Sequence, residues 1–235
     1  MISACKYSIL LFLFLFPLTS ALSQKVQIQM VSPPELKGRK AVLLTREKGF
    51  AATVHSLKLY SDMFNLDIEN DLVPDLYQLH VSQINSSLFF FLEPGIKIQL
   101  DTLDLSKSIV SNSKSTQEWR LFENNIQHPY DARIKYYSKR ETQARKSKNV
   151  DSLSHWIDMQ SIEKEDLVKK TGDFILANPA SYVSLYLLKI NWYAFQDKGI
   201  FEKLDRSLAI HRTYAFLREK NNKKIVRMEQ LKTLK

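Results

Sequence analysis

Leu88-Phe89-Phe90-Phe91-Leu92-Glu93-Pro94-Gly95-Ile96-Lys97-Ile98-Gln99-Leu100 is the stretch that decides the class of fold. A run of large apolar residues meets Pro94, which presets φ, and Gly95, which accepts a positive φ; apolar and polar residues then alternate. Two strands joined by a tight hairpin turn are expected, with Leu92 and Ile96 flanking the turn. Successive residues of a strand point to opposite faces, so Phe90 must oppose Phe89 and Phe91. If the outer face of the sheet is covered, all three are core; the competing reading is an exposed platform that stacks on a sugar or peptide.

Working outward, short alternating runs recur at Val26-Ile28-Met30, Ala41 to Thr45, Thr53 to Tyr60, Phe64-Leu66-Ile68, Tyr77-Leu79-Val81 and Ile109-Val110. Turn chemistry separates them: Ser32-Pro33-Pro34, Lys48-Gly49, Asn70-Asp71 and Gln83-Ile84-Asn85-Ser86. About eight short strands at this spacing predict an antiparallel β-sandwich or small barrel over residues 24–113.

After Ser113 the apolar period becomes helical. Trp119, Phe122 and Ile126 share one face of a first helix expected to stop before Pro129. A very polar second helix is expected from Ala132 to about Lys148. Asp151 or Ser152 is placed to cap a third, with Leu153, Trp156, Ile157, Gln160, Leu167 and Phe174 inside and an end at Asn178-Pro179. Ser181 can cap a short buried helix through Val183, Leu185, Tyr186, Leu187 and Ile190, and Gly199 precedes a helix bearing Phe201, Leu204 and Leu208. The lysine-rich Thr213 to Leu234 is only weakly amphipathic, with the poor helix formers Asn221-Asn222 in its middle. The fold class is thus α+β, with a helical connector or docking region at 114–235.

The N-terminus carries Lys6, the apolar run Ile9 to Phe16, Pro17, and the small residues Thr19-Ser20-Ala21-Leu22-Ser23. This is the order of a secretory signal peptide, with Ala21 and Ser23 at the −3 and −1 positions and cleavage expected before Gln24. The run is shorter than the roughly 20 apolar residues that span a bilayer. Loss of 1–23 would remove Cys5, the one cysteine, leaving an exported, periplasmic or envelope-associated chain without thiol or disulfide. The formal charge of +9 is lopsided: residues 24–113 carry 9 Lys and Arg against 10 Asp and Glu, whereas 114–235 carry 24 against 15. Such a half suits an acidic partner or is simply a solvated surface; no nucleic-acid recognition motif accompanies it.

With these segments in place, the chain resembles the domain of unknown function that precedes thioredoxin-like domains in exported proteins of Bacteroidetes-type bacteria. The resemblance rests on Val26-Gln27-Ile28-Gln29-Met30, Phe64-Asn65-Leu66-Asp67-Ile68, Val73-Pro74-Asp75-Leu76-Tyr77-Gln78-Leu79, Phe91-Leu92-Glu93-Pro94-Gly95, and Asp173-Phe174-Ile175-Leu176-Ala177-Asn178-Pro179-Ala180-Ser181. It covers Val26 to about Leu217. It implies an accessory region whose thioredoxin-like partner, with its Cys-x-x-Cys pair, is absent from this sequence. Glycine, at five in the chain, is scarcer than the family pattern, and Asp62-Met63 stands where the family carries glycine.

Candidate chemistry is thin. The five histidines, His55, His80, His128, His155 and His211, lack metal-ligand spacing, and no nucleophile elbow, phosphate loop or calcium loop is present. Glu163, Glu165 and Asp166 read as a solvated face rather than an acid–base pair, with Lys164, Lys169 and Lys170 to neutralise them. No catalytic residue, cofactor or metal is expected. Trp192, Tyr193 and Phe195, beside Gly199, form a candidate exposed aromatic patch, with helix packing as the alternative. Lys220, Lys223, Lys224 and Arg227 form a basic set that could steer an acidic partner to the terminal helix. The expectation is a non-catalytic binding or scaffolding module with a protein partner in the cell envelope, a thioredoxin-like protein being one candidate. Alternatives are an accessory fragment of a thioredoxin-like disulfide reductase whose catalytic domain is encoded separately, and a carbohydrate-binding sandwich.

Overall fold

The computed structural model describes residues 25–45, 51–60, 62–69 and 74–233. The N-terminal segment expected to be a signal peptide and the turns expected at Lys48-Gly49 and Asn70-Asp71 lie outside these residues. Eight strands occupy the expected segments: β1 (Lys25–Val31), β2 (Lys40–Thr45), β3 (Ala52–Lys58), β4 (Met63–Glu69), β5 (Leu76–Val81), β6 (Ser87–Phe91), β7 (Lys97–Gln99) and β8 (Ile109–Ser111). They form two four-stranded sheets, ordered β4-β1-β7-β8 and β3-β2-β5-β6, which do not close into a barrel. Side chains of both sheets meet in one core: Val26, Ile28 and Met30 from β1 face Ala41, Leu43, Tyr77, Leu79, Leu88 and Phe90. The period of two along each strand produces this, since Gln27 and Gln29 fall on the other face of β1.

Two expectations for this half are corrected. The Pro94-Gly95 turn forms, with Gly95 at φ +74° and the Ile96 N–H donating to the Glu93 carbonyl at 3.3 Å. It is a corner rather than a hairpin, because β6 and β7 belong to different sheets. The sheets are also not purely antiparallel: β7 runs parallel to β1, with Met30 opposite Ile98. Local turn chemistry bends the chain but does not choose the strand that receives it.

Six α-helices follow: α1 (Lys114–Phe122), α2 (His128–Lys146), α3 (Val150–Ala177), α4 (Tyr182–Ile190), α5 (Trp192–Phe195) and α6 (Arg212–Thr233). The expected stop before Pro129 does not occur. A π-helical turn, Glu123–Gln127, joins α1 to α2, and Pro129 sits in the first turn of α2. Proline removes one N–H and crowds the carbonyl four residues back; the widened turn lets the helix pass. Asn149 rather than Asp151 or Ser152 caps α3, accepting from the Ser152 N–H at 2.9 Å. Ser181 caps α4 as expected, accepting from the Val183 N–H. Gly199 adopts φ +65°, and two 3-10 turns, Phe201–Lys203 and Arg206–Ile210, replace the helix expected after it. Helix α6 runs unbroken through Asn221-Asn222. Asn221 is buried there, and its side-chain amide donates to Glu202 at 2.8 Å, which repays its low helix propensity with a tertiary bond.

The helices build a second core that takes two residues from the sheet, Leu76 and Phe91, along with Trp119, Phe122, Ile175, Leu188, Trp192, Phe195 and Leu217. Leu76 and Phe91 are cross-strand partners on the outer face of β5 and β6. Helix α1 is fastened to the same place. Its cap Ser113 donates to the Phe91 carbonyl, the Phe91 N–H donates to Thr116 Oγ1 at 2.9 Å, and the Glu93 carboxylate accepts from the Ser115 hydroxyl at 2.8 Å. These bonds occupy part of the edge that β6 would otherwise leave open.

Candidate functional site

The residues singled out for docking lie around α5 and the face of α6 that meets it, and they divide between core and surface. Trp192 and Phe195 are buried, so they offer no surface, and that part of the expected aromatic patch is corrected. Leu188, Trp192 and Phe195 continue at helical spacing the buried stripe of α4, the periodicity that marks them as core. Trp192 packs edge-on to Phe201, and the Phe195 ring lies against Gly172 of α3, where any Cβ would come within 3.3 Å. A glycine is kept in the middle of α3 because the Phe195 ring occupies the space of a side chain.

Tyr193, one step off the stripe, is 81% exposed. One turn pair on α6, Phe216 and Lys220, comes up beside it. The Lys220 ammonium lies 4.8 Å from the centre of the Phe216 ring and 5.5 Å from that of Tyr193, a cation held between two aromatic faces. Phe216, Ile225 and Val226 keep a large part of their surface exposed along the helix.

The remaining basic residues differ in what they do. Lys224 is committed internally: it forms an ion pair with Asp197 at 2.8 Å and donates to the Gln196 carbonyl, tying α6 to the end of α5. Lys223 pairs with Glu219 one turn back at 2.5 Å, both well exposed. Arg227 belongs to α6, but its side chain is outside the described residues. Among the described members of the set, Lys220 is the one that lies against the exposed rings. The Lys223–Glu219 pair, open to solvent, is worth little to the fold.

The acidic knot on α3 is structural. Glu163 accepts from Arg133 of α2 at 2.8 Å, and Asp166 pairs with Lys170 at 2.7 Å. Among the described residues no three His, Cys, Asp or Glu side chains converge as metal ligands would.

One feature escaped the sequence reading. Leu76, Phe89, Trp119, Glu123 and Tyr186 line a recess of about 160 Å³ where the sheet meets α1 and α4. The spacing of Trp119 and Glu123, four apart on one helix, was the available signal. What brought Phe89 and Tyr186 to them is tertiary. The Phe triplet divides as its strand geometry requires: Phe90 in the inter-sheet core, Phe91 in the helical core and Phe89 half-buried against the latter.

Compared with family models, with curated proteins and with solved structures, the chain matches none.

Proposed function

We propose that this protein is an exported, non-catalytic binding or scaffolding module that engages a protein partner of the cell envelope through the surface shared by α5 and α6. The observation that carries this reading is the Tyr193–Lys220–Phe216 cluster: two exposed rings holding an ammonium, continued by the exposed Ile225 and Val226. Aromatic residues beside a basic group are the composition of interface anchors, because they combine large buried area with a directed charge. The excess of positive charge in 114–235 adds long-range attraction toward an acidic partner and acts mainly on the association rate. Export rests on the signal-like N-terminus, and no helix among the described residues is long and apolar enough to cross a membrane. The partner that fits is a protein presenting carboxylates next to an apolar ridge.

Cross-linking in envelope extract tests the proposal with three variants. Lys220→Glu and Tyr193→Ser should each abolish a defined cross-linked species. Lys139→Glu, an exposed change on α2, should leave it intact. A cross-linking pattern identical in all four proteins, or an intact Met1 on protein found only in the cytoplasm, rules the reading out.

A further inference from the structure

Helix α2 carries 6 Lys and Arg against 2 Asp and Glu, and the fold sorts them by direction. Its inner side is fixed by contacts with α3: Arg133 bridges to Glu163 at 2.8 Å, Tyr137 stacks on Trp156, and Glu141 accepts from Gln160 at 2.8 Å. At 3.6 residues per turn, Lys135, Lys139 and Lys146 fall on the opposite side, within roughly 40° of one another along about 16 Å of helix. All three are exposed, and the exposed Lys148 follows just past the helix end. Ala132 and Thr142 are their neighbours on that side, so no carboxylate interrupts the stripe. The two acids of α2 are engaged elsewhere: Glu141 pairs with Arg145 at 2.6 Å, and Asp131, on the flank, accepts from Gln127 at 2.9 Å. Arg140 is turned aside, its Nε donating to the Tyr136 hydroxyl at 3.1 Å. Among the described residues, Lys135, Lys139 and Lys146 have no ion-pair partner. The far edge of this helical hairpin has the opposite sign. Asp151, Asp158 and Glu165 recur every seven residues on the side of α3 turned away from α2, and all are exposed.

We propose that the outer edge of α2 docks on an anionic membrane surface, with the lysines among the lipid headgroups and the acidic edge of α3 turned to water. The shape of the stripe favours a flat partner. A plane touches a cylinder along one line, so a straight row of lysines on a convex helix meets a charged surface all at once. A flexible acidic chain is held by basic groups lining a groove, and this edge is convex. Lysine suits the contact because its compact, hydrated charge needs no fixed geometry from the phosphate it meets. The stripe has no large apolar residue to insert, so attachment is electrostatic and stays at headgroup level. The opposite sign of the α3 edge selects the orientation, since that edge is repelled by the same surface. This edge is separate from the α5–α6 surface. Lys139→Glu weakens membrane attachment and leaves the cross-linked species intact, so either proposal can fail alone.

Co-sedimentation of the purified protein with lipid vesicles tests this. The probes are vesicles of phosphatidylcholine alone and of equal parts phosphatidylcholine and phosphatidylglycerol, with soluble polyglutamate as the competing acidic chain. The quantity read is the excess of binding to anionic over neutral vesicles. That excess should be present at about 0.05 M salt and largely lost at about 0.5 M, where screening is nearly complete. Neutralising one lysine near an anionic surface weakens binding about fivefold, so the triple variant Lys135→Gln, Lys139→Gln, Lys146→Gln should lose the excess on the order of 100-fold. All three positions are exposed and glutamine is a good helix former, so circular dichroism should be unchanged. A second triple variant, Lys37→Gln, Lys40→Gln, Lys97→Gln, makes the same change in net charge at exposed positions of the sandwich and should keep the excess. Equal loss in both triple variants would show net charge alone at work and overturn the proposal. So would equal binding to neutral and anionic vesicles, or binding to polyglutamate without binding to anionic vesicles, which would assign the edge to an acidic protein.

Discussion

His211 uses both ring nitrogens, one to cap the start of α6 and the other to tie the helical half to the strand half. The Thr213 N–H donates to Nδ1 at 3.0 Å, which makes Nδ1 an acceptor. Nε2 must then carry the proton and donate to the Pro74 carbonyl, also at 3.0 Å. Beside it Arg212 pairs with the buried Asp75 at 3.3 Å. Burial lowers the His211 pKa below the usual 6.5, with Arg212 and Lys189 acting in the same direction and the Pro74 carbonyl and Asp75 against it. A depressed folded-state value means that the unfolded chain takes up the proton first. The contribution of His211 to stability is then fully present above about pH 6.5 and declines as pH falls toward the folded-state value. Denaturant unfolding measured from about pH 7.5 to 5.5 should show that decline, and His211→Gln should have a shallower slope over the same interval. Equal slopes in the two proteins would count against the neutral, doubly bonded ring.

At the scale of elements, α2 and the first half of α3 form a helical hairpin supported mainly by itself. In α2 only Ala144 is buried, and the buried residues of α3, Thr171, Gly172 and Ile175, all lie in its second half. Ile157, expected on the inner face, is 44% exposed. What joins the pair is aromatic and ionic. Trp156 stacks on Tyr137 and meets Tyr136 edge-on, both at 5.9 Å between centres, while Arg133 bridges to Glu163 and Gln160 donates to Glu141. Trp156→Ala should therefore loosen a local unit without unfolding the molecule. Amide exchange in α2 and in residues 150–165 should speed up markedly, with β1 and β5 unchanged. A uniform loss of protection across strands and helices would show that the hairpin is integral to the main cooperative unit.

At the scale of the whole molecule, one strand serves two cores. Phe90 fills the space between the sheets, and its neighbours in the helical core are Phe91 and, half-buried, Phe89. Unfolding of either layer thus strips one face of β6. Phe91→Ala should destabilise by about 3–5 kcal/mol, the range for removing a large aromatic from a packed interior. The three tryptophans all lie in the helical half, so their fluorescence reports that half, whereas circular dichroism also follows the strands. The two signals should give coincident denaturant transitions in the parent protein and should move together in the variant. A helical transition at lower denaturant, with the strands intact, would show the cores to be separable.

The amino-acid sequence by itself determined the eight strand segments, the change to helical period after Ser113, the Ser181 cap and the opposed faces of the Phe triplet. All of these follow from interactions within a few residues: side-chain alternation, turn chemistry and capping. Only the tertiary structure decided that Pro94-Gly95 leads into the other sheet, that Trp192 and Phe195 face inward while Tyr193 does not, and that α6 continues through Asn221. Those outcomes depend on residues far apart in sequence: β1 offering an edge to β7, Gly172 making room for Phe195, Glu202 waiting for Asn221. The recess at Trp119 and Glu123 belongs to the second group, since its five residues come from β5, β6, α1 with the π-turn that follows it, and α4, segments far apart in sequence.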